Sequence, residues 1–159
     1  MKETCGLKGW FKIDHFDNAG NLIETVETPN VVMNAGFKEV AQLIGTDTTS
    51  NATAFDFIAV GTGTTAATAT DTTLESEINN DHLLGRAAGT GTNITSTDGV
   101  AYDTFQLVKS FSPTSSYAVT ESGVLNLSAL GVLLCHQTFS AINVTNGDTL
   151  TITWKVKVS

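Results

Sequence analysis

The sequence predicts a mainly β protein, a single antiparallel β-sandwich or jelly-roll-like domain with one short helix near residues 36–44. Only 15% of the residues are charged while Thr, Ser, Asn and Gly are abundant, which suits strands and polar turns better than helices. Apolar residues alternate with Thr and Lys through residues 149–158, the period of a half-buried strand. Turn signals such as Ser112-Pro113 and Asn146-Gly147-Asp148 recur at the intervals of a sandwich or barrel.

The length of 159 residues is that of one domain with a real core. We divide the chain into an N-terminal arm, residues 1–9, which could reach a neighbouring molecule, and one sandwich domain, residues 10–159.

The first half of the chain predicts a hairpin followed by a helix. Residues 8–28 contain two β-rich runs around the Gly-containing loop Asp17–Asn21, and Pro29-Asn30 then breaks the second strand. Residues 31–33 form another short strand. A helix capped by Asn34 and stopped by Gly45 follows. The predicted inward face of this helix consists of Phe37, Val40, Ala41 and Ile44.

Residues 55–78 predict one buried strand, a Gly/Thr loop and then a short acidic turn. Phe57–Val60 is a continuous apolar run that Gly61 and Gly63 end. The segment 61–66 also fits the dinucleotide pattern G-x-G-x-x-A, with Asp81 about twenty residues further on. The residues that follow are Thr-rich and poor helix formers, and no Lys follows the glycines, so we favour a plain surface loop.

After this loop the sequence predicts a turn of helix that begins at Thr70 or Asp71. Leu74 and Ile78 would point inward, and Glu75 and Glu77 would turn toward solvent.

One charged residue falls on an apolar strand face in the C-terminal third. Glu121 shares its parity with Tyr117, Val119, Gly123 and Leu125, where an unpaired carboxylate is costly. Arg86, the only arginine, also lies among apolar residues, so we predict a structural Arg86–Glu121 pair. The alternative is a bulge that turns Glu121 outward.

Charge and composition bear on partners and compartment. The net charge of −8 opposes binding to nucleic acid or to an anionic membrane. Without an apolar leader or an eighteen-residue apolar stretch, we expect folding in a cytoplasm. Cys5 and Cys135 match no metal or redox spacing. Cys135 is expected to be a buried hydrophobe, whereas Cys5 could bond to a neighbouring subunit or, alternatively, to Cys135.

No motif indicates an enzyme, a metal or a cofactor. His15, His82 and His136 are isolated in sequence, which favours ordinary histidines over metal ligands. The oxygens of Asp14, Asp17, Asn18 and Asn21 favour a hairpin turn over a calcium loop. The acids Asp71, Glu75, Glu77 and Asp81 could supply a glycosidase pair but are more typical of a solvated turn.

The order of several short segments resembles small β-rich structural proteins of tailed bacteriophages, of the kind labelled tail fibre or capsid decoration protein. The segments are 11–20, 29–36, 57–65, 71–78, Arg86, 119–125, 138–142 and 147–154. The resemblance spans nearly the whole chain and carries no catalytic residues. The chain departs from the pattern in Cys5 and in its short N-terminal lead.

The resemblance implies a virion protein that is folded in the host cytoplasm before assembly. Its partners would be itself, as a homo-oligomer such as a trimer, and the major capsid or tail protein. Capsid decoration is preferred over a tail fibre or tail tip because one compact domain lacks a repetitive shaft. Candidate assembly contacts are Cys5, Trp10, Gly61, Thr62, Gly63, Thr64 and Thr65.

A carbohydrate-binding module is a further alternative. It would use the aromatic rings of Trp10, Tyr102 or Tyr117 as stacking platforms. Trp154 is less suitable, because its strand parity places it in the core.

Overall fold

The computed structural model describes residues 6–44, 52–79, 81–97 and 99–159. These residues form one helix and ten strands, and the strands make up two five-stranded antiparallel sheets. The elements are β1 Leu7–Phe16, β2 Leu22–Pro29, β3 Val31–Val32, α1 Asn34–Ile44, β4 Phe57–Gly61, β5 Ala87–Ala88, β6 Thr90–Ile94, β7 Thr104–Phe111, β8 Tyr117–Leu125, β9 Leu133–Val144 and β10 Thr149–Val158. The predicted fold class, mainly β with two antiparallel sheets and one short helix, is confirmed.

The first and last strands lie side by side in the middle of one sheet. This sheet, sheet A, has the order β2-β1-β10-β7-β6, and sheet B has the order β3-β9-β8-β4-β5. β1 pairs with β10 from Leu7 opposite Val158 to Phe16 opposite Thr149. Gly6 and Ser159 exchange two backbone hydrogen bonds of 2.6 and 2.9 Å. Residues 7–9 of the predicted arm therefore belong to sheet A, while residues 1–5 lie outside the described chain.

The main core fills the space between the two sheets. Alternating side chains of β1 and β10 point into it, including Phe11, Ile13 and Trp154, each no more than 1% exposed. Phe11 packs against Trp154 with ring centroids 4.8 Å apart and stacks on Phe139 at 5.1 Å. Burial of each such side chain contributes about 1.5–3 kcal/mol, so this strand pair anchors the domain. The core position predicted for Trp154 is confirmed.

A smaller apolar cluster packs between sheet B and the segments that cross it. Its members are Met33, Ala59, Leu74, Leu125 and Leu133. Leu74 comes from the connection between β4 and β5 and lies over Gly123 of β8, where an added Cβ would be 2.7 Å from Leu74 Cδ1. Sheet B is therefore covered on both sides, and β8 is buried from Val119 to Leu125.

Helix α1 begins at the predicted residue but turns a different face inward. Its buried residues are Gly36 and Glu39, while Phe37 is 43% and Ile44 84% exposed. An added Cβ at Gly36 would lie 2.8 Å from Leu134 Cα, so the helix backbone packs directly on β9. Of the four residues predicted to face inward, only Val40 packs against the core. The prediction is wrong for Phe37, Ala41 and Ile44, which are exposed, because this close approach fixes the rotation of the helix. The predicted stop at Gly45 lies outside the described residues.

Residues 70–78 do not form the predicted turn of helix. They cross sheet B in irregular conformation, with one bridge between Glu77 and Gly61. Leu74 and Ile78 are nevertheless buried, at 5% and 6% exposure. The inward positions predicted for these two side chains are correct, but the backbone of this segment bonds to sheet B rather than to itself.

Within the described residues, no helix combines the length and apolar character needed to cross a bilayer.

Candidate functional site

The side chain of Glu121 is completely buried and is surrounded by donors. Its carboxylate accepts hydrogen bonds from the backbone N–H groups of Gly63 at 3.0 Å, Glu75 at 2.9 Å and Ser76 at 2.7 Å. The fourth donor is the Nε2 atom of His136, at 3.0 Å. One carboxylate on β8 thus holds two separate parts of the β4–β5 connection against sheet B.

His136 bridges two carboxylates. Its Nε2 faces Glu121, and its Nδ1 lies 2.9 Å from Asp71 Oδ2. When both acids are ionised they only accept hydrogen bonds, so both ring nitrogens then act as donors and the imidazole is in its cationic form. Burial alone would lower the pKa of His136, but its bonds to Glu121 and Asp71 outweigh burial and raise the pKa above the ordinary value of 6.5.

The pKa values of the two carboxyl groups are shifted downward, opposite to the shift of His136. Burial would raise the pKa of Glu121, but the bonds from His136 and from the three amides hold it below 4.5. Burial likewise opposes ionisation of Asp71, yet bonds from Thr68 and His136 lower the pKa of this carboxyl group below 3.8. We call Asp71, His136 and Glu121 the His136 clamp.

The Gly/Thr loop after β4 binds a second carboxylate of the same chain. Glu75 Oε2 accepts from the backbone N–H groups of Thr64 and Thr65, both at 2.7 Å, and Glu75 Oε1 accepts from the Thr65 hydroxyl at 2.7 Å. With Gly63 bound to Glu121, the amides that a nucleotide loop offers to phosphate are occupied by Glu75 and Glu121. The loop amides therefore bind carboxylates of the same chain.

The two glycines of this loop are required by the buried carboxylate. An added Cβ at Gly61 would lie 2.3 Å from Glu121 Oε1 and 2.5 Å from the Ser76 carbonyl oxygen. An added Cβ at Gly63 would lie 2.7 Å from Glu121 Oε1. The G-x-G spacing therefore makes room for Glu121 rather than for a nucleotide.

The clamp borders a shallow cavity of about 370 Å³, lined also by Thr65, Thr70 and Glu75. Both nitrogens of His136 and the carboxylates of Asp71 and Glu75 are already hydrogen-bonded within the chain. While it donates from both nitrogens, His136 cannot take a proton from a substrate, so in this state it cannot act as a general base. Among the described residues, no group of three or more His, Cys, Asp or Glu is placed to hold a metal ion.

The predicted Arg86–Glu121 pair is not formed. Arg86 forms a bidentate salt bridge with Glu77, in which Nε donates to the carboxylate at 2.9 Å and Nη2 at 2.6 Å. Its Nη1 donates to the carbonyl oxygens of Leu127 and Leu130. Glu121 is inward as expected, but three amides and His136 satisfy it. A register shift in the β8–β9 pairing does fall between Val119 and Glu121, yet Glu121 stays buried beneath the β4–β5 connection.

A second buried histidine, on β1, also lies between two carboxylates. His15 on β1, only 2% exposed, places Nε2 3.0 Å from Asp148 Oδ2 and Nδ1 3.3 Å from Glu24 Oε1. Asp148 also accepts from the N–H and hydroxyl of Thr145. Burial would raise the pKa of Asp148, but the bonds from His15 and Thr145 lower it. The three histidines are isolated in sequence, and only the fold gives these two their acids.

The hairpin turn and the buried cysteine match their predicted structures. Asp17 Oδ1 accepts the backbone N–H groups of Ala19 and Asn21, which closes the β1–β2 turn. Cys135 is buried with a free thiol, and burial raises the pKa of this thiol. Cys5 lies outside the described residues.

Trp10 is the centre of an exposed surface. The indole is 39% exposed and lines three adjacent depressions, the larger two with volumes of about 450 and 440 Å³. The first is mainly apolar and is lined by Leu7, Pro29, Val31, Val32 and Phe37. The second is lined by Lys8, Lys155 and Lys157. We call this region the Trp10 surface.

The other candidate contacts differ in accessibility. Thr62, Thr64 and Thr65 are exposed, whereas Gly61 and Gly63 are buried and present no surface. Among the proposed stacking aromatics, Tyr102 is 74% exposed. Tyr117 is half-buried and its hydroxyl donates to Asp81 Oδ2.

The fold and these contacts define a two-sheet β-sandwich whose buried acids hold a long connection in place. Comparisons with protein-family models, with curated proteins and with solved structures find no match to the chain.

Proposed function

We propose that the chain is a non-enzymatic structural protein of a tailed-phage virion, a capsid decoration protein that binds the assembled shell. The order of short segments that resembles such proteins supports this class. The observation that carries the proposal is a contrast: the buried acids and histidines are hydrogen-bonded within the chain, whereas large apolar side chains are exposed on one helix.

The exposed apolar side chains of α1 form the proposed assembly surface. Phe37, Leu43 and Ile44 are 43%, 47% and 84% exposed. Phe37 also lines the apolar depression next to Trp10, so the two regions are continuous. Apolar patches with aromatic residues are typical of protein–protein contacts, and a shell protein or a second copy of the chain would cover this one.

The proposed mechanism is mass action. A protein that binds the assembled shell but not dissociated subunits stabilises the shell, by about 2.7 kcal/mol at a concentration one hundred times its Kd. Self-association, for example as a trimer, would add contacts between bound copies. The net charge of −8 favours solubility of the decorated particle.

The first test is location. Mass spectrometry of purified particles should detect the chain, and immunogold labelling should place it over the capsid. Label confined to the tail would replace decoration with the tail-fibre alternative, and particles without the chain would overturn a virion role.

A second test addresses the surface. We expect Phe37→Ser combined with Ile44→Ser to weaken co-sedimentation with undecorated shells by about tenfold or more, because central aromatic and aliphatic contacts dominate interfaces. Leu130→Ser is the matched control, since Leu130 is 88% exposed in the β8–β9 connection. Circular dichroism checks folding of each variant. Equal binding by the double variant and wild type would contradict the assignment of α1.

A further inference from the structure

Half of the cationic side chains of this acidic protein lie on one sheet face. The chain has seven Lys and one Arg, and Lys8, Lys12, Lys155 and Lys157 all lie on the outward side of β1 and β10. The alternate positions of both strands, such as Phe11 and Trp154, are buried in the core. Four of the eight cationic side chains thus lie on one face, together with the carboxylates of Asp14 and Glu27.

The strand register places an aromatic ring among these lysines. Trp10 is directly opposite Lys155, and Lys8 is directly opposite Lys157. Opposed residues have Cβ atoms about 5 Å apart and diagonal neighbours about 7–8 Å apart. Lys155 therefore lies next to the exposed indole on the neighbouring strand, and Lys8 lies on the same face two residues before Trp10 on β1.

Two of the four lysines are available to a ligand. Lys12 Nζ contacts Asp14 at 2.7 Å, and Lys157 Nζ lies 3.6 Å from Asp103. Within the described chain, Lys8 and Lys155 form no ion pair. Both border the depression of about 440 Å³, a volume within the range of small-ligand sites.

The remaining lining favours a ligand that carries hydroxyl groups as well as negative charge. Glu27 contributes a carboxylate that can accept hydrogen bonds, and Thr95 and Thr97 contribute hydroxyls at the rim. A polyphosphate has no hydroxyl group that could donate to Glu27, so nothing would offset the repulsion between its charge and this carboxylate. A sugar hydroxyl would donate to it, and the C–H face of a sugar ring would pack on the indole.

We propose that the outward face of sheet A binds an acidic polysaccharide, with a sugar ring stacked on Trp10 and acid groups paired with Lys8 and Lys155. This inference goes beyond the proposed virion role and does not depend on it. The two unpaired lysines, Lys8 and Lys155, select the anionic class, because their charge would add little to the binding of a neutral glycan.

The test is a binding titration of the full chain by tryptophan fluorescence and calorimetry. The probes are oligogalacturonate, a neutral galactan of similar length, and polyglutamate of similar charge. We expect oligogalacturonate to bind more tightly than either control, with an affinity that falls as salt rises. Binding of polyglutamate equal to that of oligogalacturonate would show a site for acidic peptides, and this result or no binding at all would overturn the proposal.

Variants separate stacking from charge. Trp10→Ala should weaken oligogalacturonate binding by about tenfold, and Lys155→Glu should do at least as much. The matched controls are Tyr102→Ala, an exposed aromatic elsewhere, and Lys38→Glu, the same charge change on α1. If these controls lose as much affinity as the face variants, the binding is not located at Trp10 and the proposal is wrong.

Discussion

At the scale of single residues, Glu121 has the largest effect on the structure around it. A fully buried carboxylate is tolerated because four donors surround it, and each donor would lose its partner if the carboxylate were removed. The same residue explains the glycines at 61 and 63 and the position of His136. A single acid thus sets the sequence requirements of three separate segments.

We expect Glu121→Gln to destabilise the domain by about 3 kcal/mol. The amide keeps the shape but removes the charge opposite His136, and its NH₂ group would face backbone N–H donors. Equilibrium denaturation in urea measures the change. Glu27→Gln, at an exposed position of β2, is the matched control and should leave the midpoint nearly unchanged. A midpoint for Glu121→Gln equal to that of wild type would show that the buried charge is dispensable.

At the scale of elements, the β4–β5 connection is held by acids rather than by its own secondary structure. Residues 62–65 and 75–76 bond to Glu121, Glu75 and each other, and Leu74 and Ile78 supply the apolar contacts. This is why a segment with helix-like apolar spacing is irregular. Sheet B offers it better hydrogen-bond partners than a single helical turn would.

The end of β4 gives a prediction for this element. Gly61→Ala places a methyl group against Glu121 Oε1 and the Ser76 carbonyl, neither of which can move freely, so we expect a loss of about 1–3 kcal/mol. Gly6→Ala is the control, because nothing lies within 4 Å of its added Cβ. Thermal unfolding of both variants provides the comparison. If both unfold at the same temperature, the connection is looser than the contacts indicate.

At the scale of the whole molecule, the His136 clamp makes stability depend on pH. The folded-state pKa of His136 is raised, so its contribution is complete below the unfolded value of 6.5 and is lost as pH rises through the folded value. The folded-state pKa values of Glu121 and Asp71 are lowered. Their contribution is therefore complete above 4.5 and is lost as pH falls through the folded values. These groups together favour the interval from about pH 4.5 to 6.5.

We expect His136→Asn to lose more stability relative to wild type at pH 5.5 than at pH 9, because only the charged imidazole is strongly bound by both acids. Urea midpoints at the two pH values measure the difference, and His82→Asn, at an exposed position, is the control. Should His136→Asn not fold, an NMR titration of the wild-type imidazole gives the same information. An apparent pKa at or below 6.5 for His136 would contradict the clamp.

A structural feature is predictable from the sequence when the contacts that determine it are local in the chain. Alternation predicts the strands and the core position of Trp154, because the period of a strand is a local property. The predicted helix face is wrong because the contact of Gly36 with Leu134 joins residues far apart in sequence. Likewise, the predicted pairing of Arg86 with Glu121 considers only the charges of the two side chains, and it is wrong because Arg86 contacts Glu77. Backbone amides, which satisfy Glu121 in the fold, leave no signal in the amino-acid sequence.

The central position of the first and last strands also has a kinetic consequence. β10 lies between β1 and β7, so sheet A exists as two separate pieces, β2-β1 and β7-β6, until the final strand is inserted. A chain in which β10 has not yet been synthesised therefore cannot complete its main core, and pairing of such distant segments makes folding slow. Until β10 is present, the edges of β1 and β7 that pair with it would be exposed, which makes a chain without β10 the form most dependent on chaperones.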